Sequence, residues 1–89
     1  MSSLSGCTAL VTGAGRRLGR SLALALSEEG VHVVLHYHAS STDALEVASL
    51  IRSKGVKAWT VEGDLSDPTR ASGIFDEACA LAGPIDFLV

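Results

Sequence analysis

Four short apolar runs alternate with three stretches of helical periodicity, and that alternation leaves few folds open to this chain. Residues 8–12, 31–36, 58–62 and 85–89 are rich in β-formers and too short for helices. Between them, residues 18–29, 42–54 and 68–81 repeat apolar side chains at three- and four-residue spacing. The expected buried faces are Leu18, Leu22, Ala25 and Leu26 in the first, and Leu45, Ala48 and Ile51 in the second. In the third they are Ala71, Ile74, Phe75, Ala78 and Ala82. Gly30, Gly55 and the pair Gly83-Pro84 stand where these helices should stop, and Asp67-Pro68 has the form of an N-cap followed by a first-turn proline. Strands alternating with helices through short connections build βαβ units and a parallel sheet. Right-handed crossovers then set the strand order 3-2-1-4, part of a doubly wound Rossmann-type α/β sheet.

The connection after the first strand narrows the reading. Leu10-Val11-Thr12-Gly13-Ala14-Gly15-Arg16-Arg17-Leu18-Gly19 passes from strand through a glycine turn straight into a helix. Glycines permit a tight turn and a close backbone approach to a pyrophosphate, and the helix N-terminus offers unpaired N–H groups and a positive dipole end. Arg16, Arg17 and Arg20 add a local cluster of positive charge suited to one phosphate group.

The end of the second strand bears on which dinucleotide such a turn would take. A carboxylate about 20 residues after the turn binds a ribose 2′-hydroxyl and favours NAD. Here the run is Leu35-His36-Tyr37-His38-Ala39-Ser40, with no carboxylate before Asp43. That absence, with Arg16 or Arg17 across the turn and Ser40 and Ser41 nearby, favours the 2′-phosphate of NADP. After the third strand, Asp64-Leu65 occupies the carboxyl-end position where ligand loops lie, so Asp64 is a candidate acceptor for an adenine amino group. The competing role for Asp64 is a turn or a helix cap.

Other residues have simpler readings. His36 and His38 would share one strand face, but no third ligand stands near to complete a zinc set. His32 is expected at the surface, and Trp59 is expected to pack between strand and helix. The only tyrosine is Tyr37, and no catalytic triad or paired carboxylate is legible.

Size and charge exclude several classes. Eighty-nine residues, 47% of them hydrophobic, allow one small globular domain at most. A net charge of -3 with no basic stripe argues against nucleic acid. No run of 18 apolar residues predicts a membrane span, and the N-terminus lacks the pattern of a secretory signal. Cys7 and Cys79 read as buried free thiols, so a cytoplasmic setting is expected. The apolar run 85–89 stops without turn, cap or polar tail, and the chain therefore reads as the first part of a longer domain.

Together these residues resemble the short-chain dehydrogenase/reductase family. Its members carry Thr-Gly-x-x-x-Gly-x-Gly where this chain has Thr12-Gly13-Ala14-Gly15-Arg16-Arg17-Leu18-Gly19. Arg17 in place of the middle glycine, the run from Leu35 to Ser40, and Asp64-Leu65-Ser66 are similar to the pteridine reductase branch. The resemblance runs from about Thr8 to Val89. It implies an NADPH-dependent reductase of pterins or dihydropteridines. Gly13, Arg16, Arg17, Leu18, Gly19, His36, Tyr37, His38, Ser40, Asp64 and Leu65 would line the cofactor. By that likeness Arg17 also touches the substrate, and His38 and Ser40 hold the 2′-phosphate region. Ala39 departs from the arginine of that branch and removes one phosphate ligand. The family's tyrosine and lysine lie beyond Val89, so these residues would bind cofactor without turning over. A small-molecule substrate and a homo-tetramer built through later helices complete the expectation. The alternatives are a general carbonyl or 3-oxoacyl reductase of the same family, or a non-catalytic NADP-binding module.

Overall fold

A computed structural model describes residues 4–14, 17–39 and 41–89. In chain order the elements are β1 (Thr8–Val11), α1 (Arg17–Glu28), β2 (His32–Tyr37), α2 (Ser41–Arg52), β3 (Ala58–Glu62), α3 (Pro68–Ala82) and β4 (Phe87–Leu88). The four strands form one parallel sheet in the order β3-β2-β1-β4, as the right-handed crossovers require.

Register follows from the pleat. Val11 pairs with Leu35, and Leu35 with Thr60, so alternate residues of neighbouring strands share a face. Val11, Val33 and Leu35 pack against Ala23 of α1 and Val47, Ala48 and Ile51 of α2. Leu10, Val34 and Val61 point the other way, onto Ile74 and Ala78 of α3. Both faces of the central strands are therefore covered, which is why β1 and β2 read as continuous apolar runs. Trp59 packs beneath α3 beside this second cluster, between strand and helix as expected. His32 is half-buried, with Nδ1 accepting the Lys57 N–H at 3.0 Å.

Three helix faces differ from the expected stripes. In α1 the buried residues are Ala23 and Ser27, whereas Leu18 is 73% exposed and Leu22 and Ala25 also face outward. The cause is Gly19, which lies directly against the Gly13 backbone. Seating Gly19 there rotates positions 23 and 27, its one- and two-turn neighbours, onto the sheet. In α2, Ala44 and Val47 join Ala48 and Ile51 in the core and Leu45 turns out. In α3, Phe75 is 42% exposed at an open apolar groove of about 330 Å³ shared with Leu10, Leu65 and Leu88.

The ends of α3 match the sequence reading. Asp67 accepts hydrogen bonds from the N–H groups of Thr69 and Arg70, at 3.0 and 3.4 Å, and Pro68 follows at the first helical position. Gly83 at φ +80° closes the helix with its N–H donated to the Cys79 carbonyl at 2.8 Å. Cys7 and Cys79 are free, as expected, but half-buried rather than fully enclosed. No helix among the described residues is long and apolar enough to cross a membrane.

The regular part of β4 is shorter than the apolar run that predicts it, though its hydrogen bonding to β1 extends further. The Asp86 N–H donates to the Thr8 carbonyl, the Val89 N–H to the Leu10 carbonyl, and the Thr12 N–H to the Val89 carbonyl.

Candidate functional site

Because every strand runs the same way, the carboxyl ends of β1, β2 and β3 bring three loops to one edge of the sheet. Ligands of open α/β sheets bind there, where the strand order reverses. In this chain that point lies between β1 and β4.

The glycine turn is held from two sides. Gly13 takes φ +61°, a left-handed conformation that other residues adopt at a cost. A Cβ on Gly19 would overlap the Gly13 carbonyl oxygen and lie 2.8 Å from its carbon, so only glycine lets α1 start this close to the turn. On the other side His36 accepts twice. Its Nδ1 takes the Gly13 N–H at 3.2 Å, and its backbone carbonyl takes the Ala14 N–H at 2.9 Å. Arg16 lies outside the described residues.

Arg17 opens α1 and is exposed, with no hydrogen-bond or ion-pair partner among the described residues. Arg20, grouped with it in the sequence reading, turns away and pairs with Glu46 of α2 at 2.9 Å. That position is one helical turn from the site, where a carboxylate on the neighbouring helix claims it. Among the described residues the uncommitted positive charge near the turn is therefore that of Arg17, next to the positive end of α1. Leu18 stands exposed beside it.

The loop after β2 separates the two histidines that the sequence placed on one face. β2 ends at Tyr37, so the alternation that would align them ends too. His36 is 3% exposed, whereas His38 is in solvent. Tyr37 is half-buried, and its carbonyl accepts the Gly63 N–H at 3.1 Å. Ser40 lies outside the described residues. Among the described residues no group of three His, Cys, Asp or Glu side chains could hold a metal ion.

Asp64 serves first as a turn former. Its Oδ1 accepts the Ser66 hydroxyl at 2.7 Å and the Ser66 N–H at 2.9 Å. The Ser66 hydroxyl, then the Ser66 N–H, hold the carboxyl below its usual range; slight desolvation opposes this, and the charge of His38 adds a smaller pull. Oδ2 accepts nothing from the described residues and remains an acceptor for a ligand. Leu65, next in the chain, is half-exposed at the mouth of the apolar groove.

Gly63 escaped the sequence reading. Its carbonyl bonds the His36 ring, and a Cβ there would meet Ile74 Cγ1 at 2.8 Å and Arg70 Nε at 2.7 Å. The Arg70 guanidinium folds over this loop, bonding the Glu62 carbonyl and pairing with Glu77. The available signal was a glycine directly after a strand, a sign of close approach.

The family model for short chain dehydrogenases matches residues 7–89. The chain belongs to the short-chain dehydrogenase/reductase family. A short-chain type dehydrogenase/reductase from Picea abies is 39% identical over 97% of this chain and 34% of its own length. The 3-oxoacyl-[acyl-carrier-protein] reductase FabG of Staphylococcus aureus is 38% identical over 92% of this chain and 33% of its own length. Among solved structures, FolM alternative dihydrofolate reductase 1 from Brucella canis, complexed with NADP, superposes with a TM-score of 0.85 at 32% identity. That match covers 96% of this chain and 33% of the FolM chain. This short-chain dehydrogenase/reductase chain thus spans about a third of the length of each relative.

Proposed function

We propose that these residues form the adenosine-binding part of an NADPH-dependent short-chain reductase that acts on a pterin or dihydropteridine. One observation carries the reading. The β2 end facing the glycine turn presents His36, Tyr37, His38 and Ala39 with no carboxylate, while Arg17 across the turn is uncommitted. A 2′-phosphate meets no repelling charge there and finds a guanidinium free to bond it.

The residues fit such a cofactor. Gly13 and Gly19 leave the backbone bare at the turn, α1 directs its N-terminus at the phosphate position, and Asp64 Oδ2 is free to accept an adenine amino group. Gly13, Arg16, Arg17, Leu18 and Gly19 take the phosphates, His38 and Ser40 flank the ribose phosphate, and Asp64 and Leu65 bound the adenine. NADPH bound there supplies the hydride. The proton-donating residues belong to parts of the fold after β4, so residues 1–89 bind cofactor without catalysing reduction. The NADP-bound FolM structure supports both the cofactor and the pterin assignment. The likeness to FabG supports a second reading, reduction of a 3-oxoacyl thioester.

Two measurements on the intact protein test this. NADPH should bind more tightly than NADH, and Arg16→Ala with Arg17→Ala should weaken NADPH by about 2–4 kcal/mol, the sum of two charge-assisted contacts less their overlap. Unchanged affinity rejects the phosphate assignment. NADPH oxidation with dihydrobiopterin rather than acetoacetyl thioester supports the pterin reading, and the opposite preference replaces it with the oxoacyl one.

A further inference from the structure

We propose that His36 is a positioning residue: it locks the glycine turn and the Asp64 loop into one register and contacts no ligand itself. The ring sits 3% exposed between the two loops. Nε2 lies 2.7 Å from the Gly63 carbonyl oxygen, which can only accept, so Nε2 carries the proton. The neutral ring then has its lone pair on Nδ1, and the Gly13 N–H donates to it at 3.2 Å. With both nitrogens engaged and the ring enclosed, no polar atom remains for a cofactor. Any effect of His36 on binding passes through the loops.

Two consecutive N–H groups of the turn are fixed by this one residue, Gly13 on its ring and Ala14 on its carbonyl. Gly63, at the far side of the ring, immediately precedes Asp64. One imidazole therefore sets the spacing between the phosphate turn and the adenine-side carboxylate. A glycine at φ +61° has no side chain to hold it there, so the ring supplies the missing restraint.

This inference rests on the proposed cofactor reading for its consequence, although the restraint itself can be measured without cofactor. In the intact protein, His36→Asn places an amide oxygen where Nδ1 stands and keeps the Gly13 bond, but it falls short of Gly63. His36→Gln reaches Gly63 with its amide N–H and offers nothing to Gly13. His36→Leu does neither. Exchange of the Gly13 amide is read by NMR, NADPH affinity by fluorescence titration, and melting temperature by calorimetry. Asn should leave Gly13 protected and NADPH affinity within about threefold of wild type. Gln should speed Gly13 exchange at least about tenfold and weaken NADPH about tenfold, at a melting temperature similar to that of Asn. Affinity that simply follows melting temperature across Asn and Gln, or a Leu variant that binds as wild type, overturns the proposal. If Leu fails to fold, the Asn and Gln pair decides. A wild type that prefers NADH, or binds neither dinucleotide, overturns the cofactor reading alone, and Gly13 exchange still judges His36.

Discussion

Replacing Gly19 with alanine should damage cofactor binding as well as stability, and the structure gives the reason. The added Cβ would overlap the Gly13 carbonyl oxygen and lie 2.8 Å from the Gly13 carbonyl carbon and 3.1 Å from Ala14 Cα. All three are backbone atoms of the turn, so no side chain can rotate away. Relief requires the start of α1 to move off the turn by about 1 Å, at a cost of about 1–3 kcal/mol for overpacking. For a protein of this family's size that lowers the melting temperature by about 3–9 °C. The same displacement pulls the helix N-terminus from the phosphate position, and one lost charge-assisted bond weakens NADPH about 10- to 100-fold. Gly13→Ala provides the contrast. Its Cβ would meet nothing within 4 Å, so the cost is left-handed strain alone, about 1–2 kcal/mol. Gly13→Asn should recover part of that loss, because asparagine tolerates this conformation. Calorimetry and NADPH titration of the intact variants should show comparable melting losses for the two alanines, with an affinity loss of about 10- to 100-fold in Gly19→Ala. Wild-type affinity in Gly19→Ala refutes the close-approach argument.

Other expectations follow from single contacts. Asp67→Ala removes the cap of α3 and should cost about 1 kcal/mol in urea unfolding, with Asp67→Ser restoring most of it. Asp64 has a lowered folded-state pKa, so its contribution is present above the unfolded value of about 3.9 and lost as pH falls through the lower folded value. Ser66→Ala should move the Asp64 titration back up, seen in the side-chain carboxyl NMR shift, and remove the hydroxyl's share of that contribution at neutral pH. Ala39→Arg adds a guanidinium beside His38 and should sharpen the preference for NADPH over NADH about tenfold in paired titrations.

The strand order was legible because it depends on quantities that a sequence carries: run lengths, short connections and the handedness of crossovers. The caps were legible at Asp67 and Gly83, where one residue's chemistry decides the outcome. The orientation of α1 was not. Leu18, Leu22 and Ala25 form an apolar stripe, but a stripe records area and not the neighbour that covers it, and a glycine that adds nothing to the stripe fixed the rotation. The role of His36 was hidden for a related reason. Its spacing from His38 matches a shared strand face, yet β2 ends at Tyr37, and the partners of its ring are backbone groups of Gly13 and Gly63. Arg20 looked equivalent to Arg17 until the carboxylate of Glu46 separated them.

The place of β1 has a consequence for how the chain assembles. β1, made before the other three strands, becomes an inner strand of the sheet, bonded to β2 on one side and β4 on the other. Pairing with β2 and β3 can be complete once residue 62 is available. The opposite edge of β1 waits for Asp86, whose carboxylate accepts the Thr8 N–H across 78 residues of sequence. Synthesis from the N-terminus therefore leaves a partly built sheet with an unpaired apolar edge at its future centre, and closing so long a loop is the slow step in this topology.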